Sequence, residues 1–342
     1  MAEAGRAAGC GARILPLLRE TSMDCRICGN AADNPEYLLR EQTFALGDQF
    51  AYFLCSSCGC LQIADDPADL GRYYGDGYYS LHAPRASTES LTQRIKLARC
   101  RLAYFGRRPV STVAHSLIKN EKHRALLRLS PVRDGAILDV GCGTALFLRD
   151  LARIGFASLT GIDPHLPLQF EAETPVRVLR RSLVEMSGSF SVVMFHHSFE
   201  HLPDPLAALQ AVHRLLAPGG ACLIRIPTVS SYAWEHYGAD WVQLDVPRHL
   251  FLHSVGSLRL LADQADFDVT EWYSDSTAMQ FWGSEQLRRG IALESTESWG
   301  KGNRTLFSRA EMRSFKRETA RLNRHGRGDQ AAFYLRRKCD RR

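Results

Sequence analysis

Two cysteine pairs are the first residues in this 342-residue chain whose spacing implies chemistry. Cys25 and Cys28 stand in "CRICG", Cys55 and Cys58 in "CSSCG", with 26 residues between the pairs. A C-x2-C unit closes a tight turn, and the glycine after each second cysteine supplies the positive φ that such a turn uses. Two turns of this kind bring four thiolates within tetrahedral reach of one Zn²⁺. Four protein ligands make a closed site, so the metal's expected role is structural. A redox C-x-x-C opens a helix after a strand, and neither pair does so here. Cys60 is a spare, a replacement ligand or an inert buried thiol. The stretch between the pairs, "YLLREQTFALGDQFAYFLC", supplies two strands for a ribbon-like module over residues 23–65.

The second set lies in "AILDVGCGTALFL", residues 136–148. An apolar strand runs into Asp139, then Gly141-Cys142-Gly143, then a helical pattern. A dinucleotide fingerprint needs a third glycine, and a phosphate P-loop needs Gly-Lys-Ser/Thr; both are absent. A carboxylate at Asp139 repels a pyrophosphate and suits a ligand carrying an amino group. Asp163, at the end of the next strand in "SLTGID", is an acceptor suited to a ribose diol. S-adenosylmethionine (SAM) supplies an ammonium, a sulfonium and a ribose diol without phosphate.

These residues need a scaffold that sets strand ends side by side. From residue 136 the pattern alternates: "AILDV", "ALFLRDLARIG", "SLTGID", "PVRVL", "SVVMFHH", "DPLAALQAVHRLLAPGG", "ACLIRIP". Strand–helix alternation predicts an α/β fold with a doubly wound parallel sheet, whose ligands sit at the carboxyl ends of the strands.

With "LDVGCGTALFL", "TGIDP", "FHHSFEHLPDP" and "LLAPGG" together, residues 120–275 resemble the class I SAM-dependent methyltransferases. The resemblance implies a seven-stranded Rossmann-like sheet with an antiparallel last strand. "DFDVTEWY" would be the sixth strand and "GDQAAFYLRRK" the seventh, with "SRAEMRSFKRETARLNR" inserted near 285–325. It also implies cofactor contacts at Asp139, Gly141, Cys142, Gly143, Asp163 and His196. Where the family often has an acid after the third strand, this chain reads "RRSLVE", with Ser182 the nearest polar group; Ser191 stands where the fourth strand often begins with an acid. The cysteine module, a tyrosine-rich connector ("LGRYYGDGYYS") and this core together are similar to sugar C-methyltransferases and relatives from polysaccharide and natural-product pathways. Those enzymes carry Tyr-His-Glu-His after the fifth strand; the matching "WVQLDVPRHLFLHS" keeps His249 and has Arg248 in place of the Glu.

Methyl transfer is an in-line displacement in which the protein aligns nucleophile, methyl and sulfur, and a hydroxyl or enol-carbon acceptor also needs a base. His249 is the first choice and His201 the second, a helix-entry role being the other reading of His201. Asp245 and Arg248 would orient His249 or grip an anionic substrate group, and Trp234, Tyr237 and Trp241 form a ring platform or a packed lid. The rival function is RNA methylation, with the metal module and the basic C-terminus holding RNA. "HHSFEHLPDP" is not the Asn/Asp-Pro-Pro-aromatic run of amino-group methylases, so a small-molecule, nucleotide-sugar or glycan-precursor acceptor is expected and nucleic acid is not.

The totals agree. Net charge is +6, yet residues 301–342 hold 14 Lys/Arg against 4 Asp/Glu, leaving the first 300 at −4. A solvated helix face and tail is the plainest account of that basic end. No apolar run is long enough to span a bilayer, and "ILPLL" is too short for a secretory core. Ten cysteines without such a signal point to a reducing, cytoplasmic setting. The expected layout is a leader (1–22), the zinc-binding knuckle (23–65), a connector with basic lead-in helices (66–130) and the methyltransferase domain (131–342). Oligomeric state has no signature in the sequence.

Overall fold

The computed structural model describes residues 23–67, 69–74, 90–166 and 175–338. The expected leader and most of the tyrosine-rich connector lie outside the described residues. Chain order runs β1 (Glu36–Arg40), β2 (Gln49–Leu54), β3 (Leu61–Ile63), α1 (Leu91–Phe105), α2 (Val110–Ser116) and α3 (Glu121–Arg128). Next come β4 (Ile137–Val140), α4 (Leu146–Ile154), β5 (Leu159–Ile162), β6 (Val176–Leu179), β7 (Phe190–His196), α5 (Pro205–Leu215) and β8 (Leu216–Pro227). The rest is α6 (Tyr232–Tyr237), β9 (Phe251–Leu252), α7 (Val255–Gln264), β10 (Phe267–Ser274), α8 (Met279–Arg288), α9 (Arg309–Arg324) and β11 (Gln330–Arg337).

The chain divides into two compact units. The larger takes Asp69–Pro227, Leu258–Asp275 and the residues from Gln330 onward. Its seven-stranded sheet has the order β10-β11-β8-β7-β4-β5-β6. Strands β4 to β8 are parallel, and β11 runs antiparallel to both of its neighbours. The order reverses between β4 and β7, so the crevice at their carboxyl ends is the topological switch point of this sheet. The central strands β4 and β7 are short, apolar and almost wholly buried, as strands inside a parallel α/β sheet are. Phe147, Leu148, Leu151 and Ile154 of α4 pack with Ile137, Met194 and Leu223 in one core, while Leu146, part of the expected apolar spacing, faces solvent. Gly155 ends α4 at φ +115, as its position after the periodic run suggested. The run "LAPGG" does not stop α5 as a loop; β8 begins at Leu216, directly after the helix, and its ladder with β7 is irregular between Phe190 and Val192.

The smaller unit gathers the described residues up to 67 with Thr228–Ser257 and Ser276–Asp329. Its sheet, β1-β2-β3-β9, is antiparallel throughout. The contiguous layout expected from the sequence, 23–65, 66–130 and 131–342, is cut differently by this division. The reason is long-range pairing that no local pattern signals. β9 extends the cysteine module's own sheet through Leu61↔Leu252 and Gln62↔Phe251, and the indole of Trp241 donates to Asp329 at 3.1 Å.

Candidate active site and metal centre

In the larger unit, the turn after β4 is shaped by backbone bonds to the next strand. The amides of Gly141 and Cys142 both donate to the Ile162 carbonyl, at 2.8 and 3.1 Å. Gly141 sits at φ +73, and a Cβ there would lie 2.4 Å from Cβ of Ser198, whose hydroxyl donates to the Val140 carbonyl at 2.5 Å. Glycine is therefore required twice over, by conformation and by space. Gly161 in β5 has a similar duty the sequence reading did not assign: a Cβ there would meet Cys142 Sγ at 2.6 Å. Cys142 itself packs on β5, and burial together with Asp139 and Asp163 pushes its thiol well up.

The two carboxylates stand at neighbouring strand ends, buried, and coupled electrostatically. Asp163 accepts from the Gly143 amide through Oδ2 at 3.1 Å and from the His165 amide through Oδ1 at 2.9 Å. Two carboxylate oxygens have about four lone-pair sites, so capacity for a diol is left after those two bonds. Asp139 is pushed up to about 7, chiefly by burial; the Lys122 charge opposes the shift and the Asp163 charge adds to it. Lys122 is a residue the sequence reading missed. It lies in α3, sits over the Phe147 ring at 5.7 Å, and burial lowers its ammonium while Asp139 holds it up. The available signal was a lysine one position inside the Asn120-capped start of "NEKHRALLR".

His196, expected to line the cofactor site, is buried edge-on to Phe147 at 5.1 Å. Burial, then the charge of Lys122, drives its pKa well below the usual range, so the ring is neutral. Neither ring nitrogen has a hydrogen-bond partner among the described residues. His123, also on α3, is pushed down to about 4 by burial and Lys122. Ser182 is engaged locally. Its hydroxyl donates to Glu185 Oε2 at 2.6 Å and its amide to the same oxygen at 2.8 Å, which holds the Glu185 carboxyl low.

"HHSFEH" follows β7. His197 has φ +57 and receives Arg225 Nη1 on Nε2 at 3.1 Å, so Nδ1 carries the ring proton, 3.5 Å from the buried Glu200. Arg225 Nε donates to Asp275 at 2.5 Å, and Gln330 Nε2 donates to the same carboxylate at 2.6 Å. This buried chain of charges braces the carboxyl ends of β7 and β8. Arg225, Asp275 and Gln330 were not foreseen, since they come from three segments far apart in sequence. His201 pairs with the Tyr74 hydroxyl at 3.4 Å, and Tyr74 stacks on His165 at 5.5 Å. The described end of the tyrosine-rich connector thus contributes an aromatic contact beside the Asp163 turn.

In the smaller unit, His249 Nδ1 lies 2.8 Å from the Gln243 carbonyl. A carbonyl only accepts, so Nδ1 carries the proton and Nε2 the lone pair. Its own carbonyl accepts from the Tyr52 hydroxyl at 2.8 Å. Asp245 lies 3.8 Å from Nε2 and is fixed by Arg248 Nε at 2.9 Å and by the Thr43 hydroxyl at 2.8 Å. Arg248, fully buried, also faces Glu41 at 3.6 Å, and Glu41 accepts the amides of Thr43, Phe44 and Leu46, each at 2.9 Å. Arg248 thus bridges the buried Glu41 and the half-buried Asp245. Trp241 is wholly buried, the packed version of the two readings given for it.

The four cysteines converge. Cys25 and Cys58 Sγ are 3.6 Å apart, Cys28 and Cys55 Sγ 3.4 Å, and all four sulfurs lie within 4.8 Å of one another. Tetrahedral sulfurs about 2.3 Å from Zn²⁺ are about 3.8 Å apart, so the cluster fits that ion. Gly29 and Gly59, at φ +73 and +70, close the two knuckles by donating to the Cys25 and Cys55 carbonyls. Gln62 Nε2 donates to Cys25 Sγ at 3.1 Å, as a group bonding to a thiolate would. Cys60 is separate: fully buried, with its thiol pushed well up by burial.

Residues 114–271 match the family model described as "Methyltransferase domain". The curated "Ubiquinone biosynthesis O-methyltransferase" of Pseudomonas paraeruginosa (strain DSM 24068 / PA7) is 35% identical over 127 residues, covering 33% of this chain and 53% of that protein. The protein of the same name from Xanthomonas oryzae pv. oryzae (strain PXO99A) is 34% identical over 125 residues, covering 33% and 52%. The chain thus spans about half the length of the curated relatives it matches. Among solved structures, an S-adenosylmethionine dependent methyltransferase from Mesorhizobium loti overlaps 64% of this chain and 99% of its own, at 16% identity and a TM-score of 0.41.

Proposed function

We propose that this chain transfers the methyl group of SAM to a hydroxyl or activated carbon of a small molecule or glycan precursor. The observation that carries the reading is the Asp139–Asp163 pair on a two-glycine turn at the switch point of the sheet. Asp139 would hold the ammonium, Asp163 the ribose hydroxyls, and Gly141, Cys142 and Gly143 the backbone surface on which the cofactor rests. Bound there, SAM supplies an electrophilic methyl on a sulfonium. His196, neutral and in an apolar setting, would pack beside that cation without repelling it. Ser182 is the weakest member of the set, because its hydroxyl already serves Glu185.

The methyltransferase match and the O-methyltransferase relatives support a hydroxyl acceptor. His249 is the base in this reading. The Gln243 carbonyl selects the tautomer that leaves Nε2 basic, and Asp245 stabilises the ring once it takes the acceptor's proton. His201 is the alternative base, oriented by Tyr74. Cys25, Cys28, Cys55 and Cys58 hold one structural Zn²⁺, which ties the module's two knuckles together.

The test of the base is turnover with SAM and a panel of phenolic and sugar hydroxyls, read as S-adenosylhomocysteine by mass spectrometry. His249→Asn should lower kcat by about 10²–10⁴ with SAM affinity unchanged, and His201→Asn much less. Equal turnover in wild type and His249→Asn would remove His249 from the mechanism.

A further inference from the structure

We propose that the surface made by α1 and α2 docks this protein on a lipid bilayer bearing anionic headgroups. The idea stands whether or not the chain transfers methyl groups, because it rests on other residues. On α1, Leu97, Cys100 and Tyr104 turn inward to the core around Phe156. On the opposite side Leu91, Ile95 and Leu102 face solvent; Leu91 is 72% exposed. At 100° per residue those three fall within about 40° of one another, so they form one apolar stripe along the helix. α2, packed beside α1, repeats the arrangement: Ala114 and Ile118 are buried, while Val110, Val113 and Leu117, at i, i+3 and i+7, are each more than half exposed.

Charge on this surface has one sign. Residues 90–120 contain seven Lys/Arg and no Asp or Glu. Around α1, Arg94 and Arg101 flank the apolar stripe on one side, Lys96 and Arg99 on the other, and all four are exposed. Arg107 and Arg108 lie in the link between the helices. An apolar stripe bordered by long cationic side chains is the arrangement of a helix lying in a bilayer interface. The aliphatic groups enter the acyl boundary and the cations reach the phosphates. No helix among the described residues is long and apolar enough to cross a membrane, so the contact is peripheral.

Two other occupants fit less well. Nucleic acid uses cations too, but it rewards stacking aromatics, and the aromatics of this stretch, Tyr104 and Phe105, are half-buried against the core; six aliphatic side chains add nothing to phosphate contacts. A second copy of the same face would set seven cations against seven.

The experiment is flotation of the full chain with vesicles of phosphatidylcholine containing one third phosphatidylglycerol, against pure phosphatidylcholine. The chain should float with the anionic vesicles only, and raised salt should weaken the binding. Arg94→Gln/Arg99→Gln/Arg101→Gln should lower the partition coefficient about 100-fold. Ile95→Asn/Leu102→Asn should lower it more than about tenfold. Both sets are exposed, and unchanged circular dichroism will show that they fold. Leu102→Trp supplies an independent readout, a blue shift of emission on adding anionic vesicles, which electrostatic adsorption alone does not give. Failure to float, flotation indifferent to both sets of substitutions, or no blue shift would overturn the proposal. So would RNA retention abolished by the arginine variant without any vesicle binding, or an oligomer that Ile95→Asn/Leu102→Asn dissociates.

Discussion

Asp139 and Asp163 are both buried at strand ends, yet their surroundings treat them differently. Two backbone amides donate to Asp163, whereas the Asp139 carboxylate has burial against it and only the Lys122 charge in its favour. Its pKa near 7 lies above the unfolded value of about 3.9, so between those limits the folded chain holds more protons than the unfolded one. The stability contributed by the protonated form is therefore present at low pH and lost as pH rises toward and through 7. Asp139→Asn should gain on the ligand-free wild type as pH rises, by up to about 4 kcal/mol at pH 8, and match it near pH 4; urea denaturation at the two pH values checks this. Ligand binding should show the complementary sign. A cationic ammonium needs the carboxylate, so SAM affinity should fall by up to about tenfold per unit as pH drops below 7. A flat titration of affinity between pH 5 and 7 would detach Asp139 from the cofactor.

At the scale of elements, the turn after β4 and the cysteine knuckles depend on glycine and on cross-linking. Gly141→Ala puts a methyl group against Ser198 and a side chain at φ +73. It should destabilise the chain by about 2–4 kcal/mol and weaken SAM binding, measurable by denaturation and calorimetry on one preparation. The antiparallel sheet of β1, β2, β3 and β9 has short strands, and β9 is only two residues long. Its integrity should then follow the metal. One Zn²⁺ per chain is expected by elemental analysis, and Cys55→Ser or a strong chelator should release it and raise amide exchange across β1–β3. Metal-free protein with unchanged exchange protection would show that the cluster is an ordinary set of buried thiols.

At the scale of the whole molecule, local signals were readable and distant partnerships were not. The strand carrying Asp139, the Gly-Cys-Gly turn, α4 with its glycine stop and the four-cysteine cluster each follow from a short pattern, because chain-local sterics and spacing dictate them. The two last strands and the helix at Arg309–Arg324 stand where the family resemblance, not a local pattern, placed them. Lys122 beside Asp139, Arg225 between His197 and Asp275, and Arg248 between Asp245 and Glu41 were not readable. In each case one partner, Asp139, Asp275 or Glu41, lies on another strand or loop, and burial makes the pairing obligatory only once the fold exists. The division into units was hidden for the same reason, since β9 joins β3 across almost two hundred residues.

The central claim is that the turn beginning at Asp139 holds SAM and not a phosphate-bearing dinucleotide. Isothermal titration calorimetry of the full chain with SAM and with NAD, repeated on Asp163→Ala, tests it most directly. SAM should bind the wild type, NAD should give no heat, and Asp163→Ala should weaken SAM by about 100-fold or more through loss of a charge-assisted hydrogen-bonded pair. Heat from NAD, no heat from SAM at high concentration, or equal SAM binding by Asp163→Ala would contradict it.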